Sequence, residues 1–122
     1  MLDEEEIALL ARRGVKVAHC PQSNMKLGSG IAPADTRLAA GVCVGLGTDG
    51  SASNNTVDMF AEMNSMAKIH KARRRDPLPV IAQQALHCAT LGGATVLGAE
   101  QASGRLAVGK KADCIGIDLN QP

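Results

Sequence analysis

Val42-Cys43-Val44-Gly45-Leu46-Gly47-Thr48-Asp49-Gly50-Ser51-Ala52-Ser53-Asn54-Asn55 is the stretch on which the fold of this chain turns. It opens as a short apolar run with β-branched residues and passes into Gly47-Thr48-Asp49-Gly50. Small polar residues follow, and a helix-like pattern starts near Thr56. That profile fits a buried parallel strand that delivers a carboxylate at its C-terminal end and runs through a loop into a helix. In α/β barrels and open α/β sheets, ligands bind at that end of the strands, so Asp49 is a functional candidate by position. Asp-Gly is also a common turn dipeptide, and spacing alone does not separate a functional carboxylate from a turn former.

On either side of this stretch the chain alternates helix and strand. Asp3 with Glu6 makes a capping-box-like start, and Ile7, Leu9, Leu10 and Ala11 give an apolar stripe. Gly14 suits the position just past the helix end. Residues 15–19 read as a short strand. Residues 20–33, with Pro21, Ser23, Asn24 and Gly28-Ser29-Gly30, read as a long irregular loop, and such loops in compact chains usually carry function. Residues 34–40 read as a short helix ended by Gly41, completing a right-handed βαβ crossover into the Val42 strand. A long helix is predicted over 56–74, with Val57, Phe60, Met63, Met66 or Ala67, and His70 on one stripe. Pro77 and Pro79 break it, a further helix covers 80–91, and Gly92-Gly93 reset the chain before a helical turn closed by Gly98. From Gly104 to Asp118 the pattern is two short strands around Gly109-Lys110-Lys111.

Composition narrows the function classes. The 122 residues are 45% hydrophobic but hold one aromatic, Phe60, so the core is built from Ala, Val, Leu, Ile and Met. Thirteen basic against twelve acidic residues give a net charge of +1, which makes no electrostatic case for nucleic acid. The basic cluster at 68–75 falls at a helix end, where cations complement the dipole. Cys20, Cys43, Cys88 and Cys114 form no CxxC pair, so they read as reduced, mostly buried thiols of a cytoplasmic protein. The N-terminus is acidic where a signal peptide is basic, and no apolar run is long enough to cross a bilayer.

Several separated motifs then agree in order. His19-Cys20-Pro21-Gln22-Ser23-Asn24-Met25-Lys26-Leu27-Gly28-Ser29-Gly30 precedes Gly47-Thr48-Asp49-Gly50-Ser51-Ala52-Ser53-Asn54-Asn55 by about twenty residues. Ala89-Thr90 with Gly92-Gly93-Ala94, and Gly104-Arg105-Leu106 with Gly109-Lys110-Lys111-Ala112-Asp113, follow. Together they closely resemble the amidohydrolase superfamily, in the branch that holds methylthioadenosine/S-adenosylhomocysteine deaminases and triazine chlorohydrolases. The resemblance covers essentially the whole chain.

It implies an α/β fold: part of a (β/α)₈ barrel, in which residues 15–19 and 42–48 are the seventh and eighth strands, with helices. By the same resemblance residues 1–103 are barrel and residues 104–122 begin a composite β-domain. Asp49 takes the place of the carboxylate that touches a divalent metal, zinc or iron, and accepts the proton of the metal-bound water. The attack falls on an amino- or halogen-bearing carbon of a small heteroaromatic substrate, such as an adenosine derivative. The family's other metal ligands, a His-x-His pair and further histidines, find no match here, since His19, His70 and His87 have neither His-x-His nor His-x-x-x-His spacing. About three protein ligands hold a catalytic zinc, so the chain is expected to be a C-terminal piece, inactive by itself.

His19, at a strand end beside Asp49, reads from its position as a ligand or general-base candidate, or as a hydrogen-bonding support for the loop after it. The resemblance assigns it a substrate-side role. Ser23, Asn24, Ser53 and Asn54 are candidates for substrate polar groups, or satisfy backbone instead. His70 and His87 read as structural, and Cys20 is discounted as a nucleophile. Two function classes fit: a deaminase or chlorohydrolase piece that works with its missing barrel segment, and a non-catalytic, self-associating protein. Both leave apolar surface to cover, so a homo-oligomer or association with the missing segment is expected, with no nucleic acid and no membrane partner.

Overall fold

Helix α1, Glu4–Arg12, forms where the sequence supplies both of its ends. The Glu6 amide donates to Asp3 at 2.8 Å and the Asp3 amide to Glu6 at 2.9 Å, a reciprocal capping box. Gly14 follows at φ 62°, a left-handed conformation open to a residue without Cβ. The computed structural model describes residues 2–120, and beyond α1 it runs β1 Lys16–His19, α2 Pro21–Lys26, α3 Ala34–Ala39, β2 Cys43–Leu46, and α4 Met59–Arg74. Next come α5 Ala82–His87, a π-helical turn Cys88–Gly92, and α6 Gly93–Val96.

Strands β1 and β2 pair in parallel, with Val17 opposite Val44 and His19 opposite Leu46, as the strand–helix–strand order predicts. The Gly47 amide extends the pairing by donating to the His19 carbonyl at 3.0 Å. Val42, Val44 and Leu46 enter a core with Ile7, Ala34, Met66, Val80, Ala85 and Cys88. Gly45, between Val44 and Leu46, points to the opposite face. There the helical rod of residues 82–96 lies against the backbone: a Cβ on Gly45 would meet Gly93 Cα at 2.9 Å and Val96 Cγ2 at 3.0 Å.

Four expectations need correction. Residues 21–26 are helical, not irregular: Pro21 is preset for the first helical position, and Gln22 and Ser23 find tertiary partners for groups that otherwise disrupt a helix. Helix α4 begins at Met59, because Asp58 caps the Phe60 amide at 2.8 Å and Val57 sits at φ 51°. Its buried stripe is Glu62, Met66 and His70, while Val57 and Phe60 are exposed. Gly92-Gly93 do not reset the chain. The rod passes through them, since a Cβ on Gly92 would lie 2.6 Å from the Val44 carbonyl oxygen. Finally, no strand forms over 104–120: Leu106, Val108, Ile115 and Ile117 are exposed, and no ladder partner lies beside them among the described residues. Of the free thiols Cys88 is buried, Cys20 and Cys43 half-buried and Cys114 exposed. Among the described residues no helix is long and apolar enough to cross a membrane.

Between the sheet and α4 lies a buried polar layer. His19 and His70 rest with ring centroids 5.7 Å apart, and neither His19 nitrogen has a hydrogen-bond partner within the protein. His70 Nδ1 approaches Asp35 Oδ1 at 3.4 Å, and Arg74 Nε donates to Asp35 Oδ2 at 2.5 Å. Burial, then the nearby His70 and Arg37, lower the His19 pKa from 6.5 to about 4. Burial raises the Asp35 carboxyl, but the Arg74 hydrogen bond and the cations around it outweigh this, and the net shift is downward from 3.8.

Two predictions follow from packing and charge. Gly92→Ala drives a methyl into the Val44 carbonyl and should destabilise the chain by about 1–3 kcal/mol in urea unfolding. Gly116→Ala, with nothing near its added Cβ, should change stability by less than about 0.5 kcal/mol, and equal effects would refute the close-approach account. For His19 the folded state holds the neutral ring, so its stability is complete above 6.5 and falls as pH drops towards about 4. The loss is of order 3 kcal/mol, and it lies above the range in which Asp35 takes up its proton. His19→Leu should reduce the slope of the urea midpoint across that window, leaving the part that the buried His70 contributes, and a slope matching the parent chain would rule the ring out.

Candidate active-site rim

Asp49 stands on the loop after β2, at the C-terminal end of the parallel pair, exposed and at φ 59°. Few residues other than glycine adopt that left-handed conformation, though Asp tolerates it better than most. Two donors fix the carboxylate: Ser23 Oγ donates to Oδ2 at 2.8 Å and the Gly50 amide to Oδ1 at 2.8 Å. These two bonds, Ser23 first and then Gly50, with the nearby Ser53 hydroxyl, hold the Asp49 carboxyl below its usual range. Asp49 is therefore an ionised carboxylate on an open rim, fixed from helix α2, which follows β1.

The other candidates separate by burial. Ser23 is buried and spends its hydroxyl on Asp49. Ser53 donates to the Gly50 carbonyl at 3.0 Å and so braces the turn that holds Asp49. Asn54 is buried, and its Nδ2 donates to the Thr48 carbonyl at 2.8 Å and to Glu62 Oε1 at 2.5 Å. Asn24 lines a separate cavity of about 460 Å³ with Ser29, Gly30 and Arg37. His19 is buried under α4 instead of standing on the exposed rim with Asp49. Its ring shares the face of Val17 two residues earlier, which packs against the core. Burial, then Asp49 and Glu62, push the Cys20 thiol up, so it carries no thiolate to act as a nucleophile.

Glu62 escaped the sequence pattern. It is completely buried, and its second oxygen accepts the Gln22 amide at 3.2 Å. Its signal was present: Glu62 lies four residues before Met66 and eight before His70, an acidic residue on the inward stripe of α4.

A metal needs more donors than the described residues bring together. Among them no three His, Cys, Asp or Glu side chains converge on one point. Asp49 suits one ligand position, being ionised and exposed, but a catalytic zinc takes about three protein ligands.

A model of the amidohydrolase family matches residues 1–122. The chain is 54% identical over 121 residues to the 5-methylthioadenosine/S-adenosylhomocysteine deaminase of Moorella thermoacetica, covering 99% of this chain and 28% of that protein. Among solved structures it is similar to an adenosine deaminase from Xanthomonas campestris with bound zinc, at TM-score 0.90 and 49% identity, over 93% of this chain and 26% of that one. An atrazine chlorohydrolase from Arthrobacter aurescens complexed with zinc matches at TM-score 0.84 and 35% identity, over 92% of this chain and 25% of that one. The chain thus spans little more than a quarter of the relatives it resembles, and by the match along its whole length it belongs to the amidohydrolase family.

Proposed function

We propose that residues 1–103 supply the last two strands of a (β/α)₈ barrel and the Asp49 rim of its active site, with residues 104–122 opening a composite β-domain. The assembled protein hydrolyses an amino or halogen substituent from a heteroaromatic ring, with an adenosine derivative as the substrate class. The observation that carries this is the Asp49 carboxylate, ionised, exposed and fixed by Ser23 and Gly50 at the C-terminal end of a parallel strand. A carboxylate so placed takes a proton from the attacking water and returns it to the departing group, as general base and then general acid. Zinc or iron belongs to the assembled protein, to which Asp49 gives one ligand. In this reading Ser23 and Ser53 orient Asp49, Asn54 holds the loop, His19 backs the rim from beneath and Asn24 stands nearest to a substrate-side role.

Self-association has its own support. Leu97, Leu106, Ile115 and Leu119 are exposed, and a largely apolar groove of about 970 Å³ runs past Leu46, Met59, Leu86 and Leu97. Burial of that surface, by a second copy or by further barrel segments, is the route to a stable particle.

Two measurements test these proposals. In a chimera that carries this chain in place of the matching segment of the Moorella deaminase, 5-methylthioadenosine deamination should persist. Asp49→Asn should then lower turnover by about 10² or more. Parental turnover in that variant rejects Asp49 as the proton carrier. Light scattering on the isolated chain should give at least twice 12.6 kDa at micromolar concentration, and a mass of 12.6 kDa defeats self-association.

A further inference from the structure

A carboxylate with no exposed surface is costly unless donors surround it, and here the donors come from α2 and from the loop after β2. Glu62 Oε2 accepts the amide of Gln22, next to Ser23. Glu62 Oε1 accepts Asn54 Nδ2, which also donates to the carbonyl of Thr48, next to Asp49. Ser23 and Asp49 themselves meet at 2.8 Å. The four contacts close a ring: Glu62 to Gln22, along the chain to Ser23, across to Asp49, back to Thr48, and through Asn54 to Glu62. The ring also replaces a missing helix cap. Cys20, which precedes α2, makes no side-chain cap bond, and the Gln22 amide in its first turn is satisfied by α4 instead.

We propose that Glu62 is a positioning residue for Asp49, its buried carboxylate clamping α2 to the loop after β2 so that Ser23 holds Asp49 in its left-handed conformation. This rests on the assignment of Asp49 to the active-site rim. The side chain reaches neither the rim surface nor solvent, so it acts through Asn54 and Gln22. The clamp needs two acceptors on one side chain. A glutamine supplies one oxygen and turns an N–H₂ toward the other donor, so Glu62→Gln breaks one arm whichever way its amide lies.

The test has two parts whose failures are distinguishable. By NMR on the full 122-residue chain, Glu62→Gln should move the Asp49 backbone scalar coupling away from that of φ 59° as Ser23 drifts away. Exchange of the Gln22 amide or the Asn54 side-chain amide should quicken by about tenfold while the β1–β2 amides keep their protection. An unchanged Asp49 coupling together with unchanged Gln22 and Asn54 exchange overturns the clamp. If Glu62→Gln unfolds the chain, Asn54→Ala cuts one arm only and must shift the Asp49 backbone coupling for the proposal to stand. In the Moorella chimera, Glu62→Gln should lower kcat about tenfold or more with KM little changed. Parental kcat there overturns the clamp even where Asp49→Asn is inactive. If Asp49→Asn stays active, the functional assignment falls and the NMR measurements alone decide Glu62.

Discussion

The parallel pairing of Lys16–His19 with Cys43–Leu46 is too short to persist on its own hydrogen bonds, and the rest of the chain is arranged to cover it. One face is sealed by Ile7, Ala34 and Met66 from α1, α3 and α4. The other is approached by the rod of residues 82–96 so closely that backbone meets backbone at Gly45, Gly92 and Gly93. A parallel strand buried on both faces reads as a near-continuous apolar run, and Val42-Cys43-Val44-Gly45-Leu46 has that character. The glycine in it marks where the rod lies.

Covering the strands this way leaves their C-terminal ends free. The rod makes its bonds near the start of the strands, where Lys16 Nζ donates to the Thr95 carbonyl at 2.6 Å. The opposite ends open into α2, which carries Ser23, and into the loop that carries Asp49. Asp49 keeps a left-handed backbone there, and such a conformation persists when the surroundings over-determine it. Ser23, Gly50, Ser53 and the Asn54–Glu62 pair supply that constraint. The buried Glu62 carboxyl group ties α2 to the loop after β2 and thereby braces the exposed Asp49.

Behind the rim, the buried imidazoles answer a different demand. His19 and His70 fill space between strand and helix while staying neutral over most of the pH range, and Asp35 with Arg74 closes the far side of the layer. A histidine at a strand end therefore need not face a substrate. Its position along the strand selects the rim, but the alternation of side chains selects the face, and here the face is the core.

Much of the local structure was legible from residues close in the chain. Asp3 with Glu6 and Gly14 bounded α1, Gly41 closed α3, and the apolar run before Asp49 marked a buried strand that ends in a carboxylate. These signals act through hydrogen bonds and φ preferences within a few residues, so sequence alone determined them. The motif order around His19 and Asp49 likewise pointed to the amidohydrolase family without any coordinates. What tertiary structure decided depends on partners far apart in sequence. Residues 21–26 are helical because Glu62 and Asp49 take up groups from Gln22 and Ser23. Gly92-Gly93 stay within the rod because Val44 lies against them, and α4 turns Glu62 inward because Gln22 and Asn54 are there to satisfy it. No window of neighbouring residues contains both halves of such a contact, and burial of a charge or a glycine is favourable only once both halves are in place.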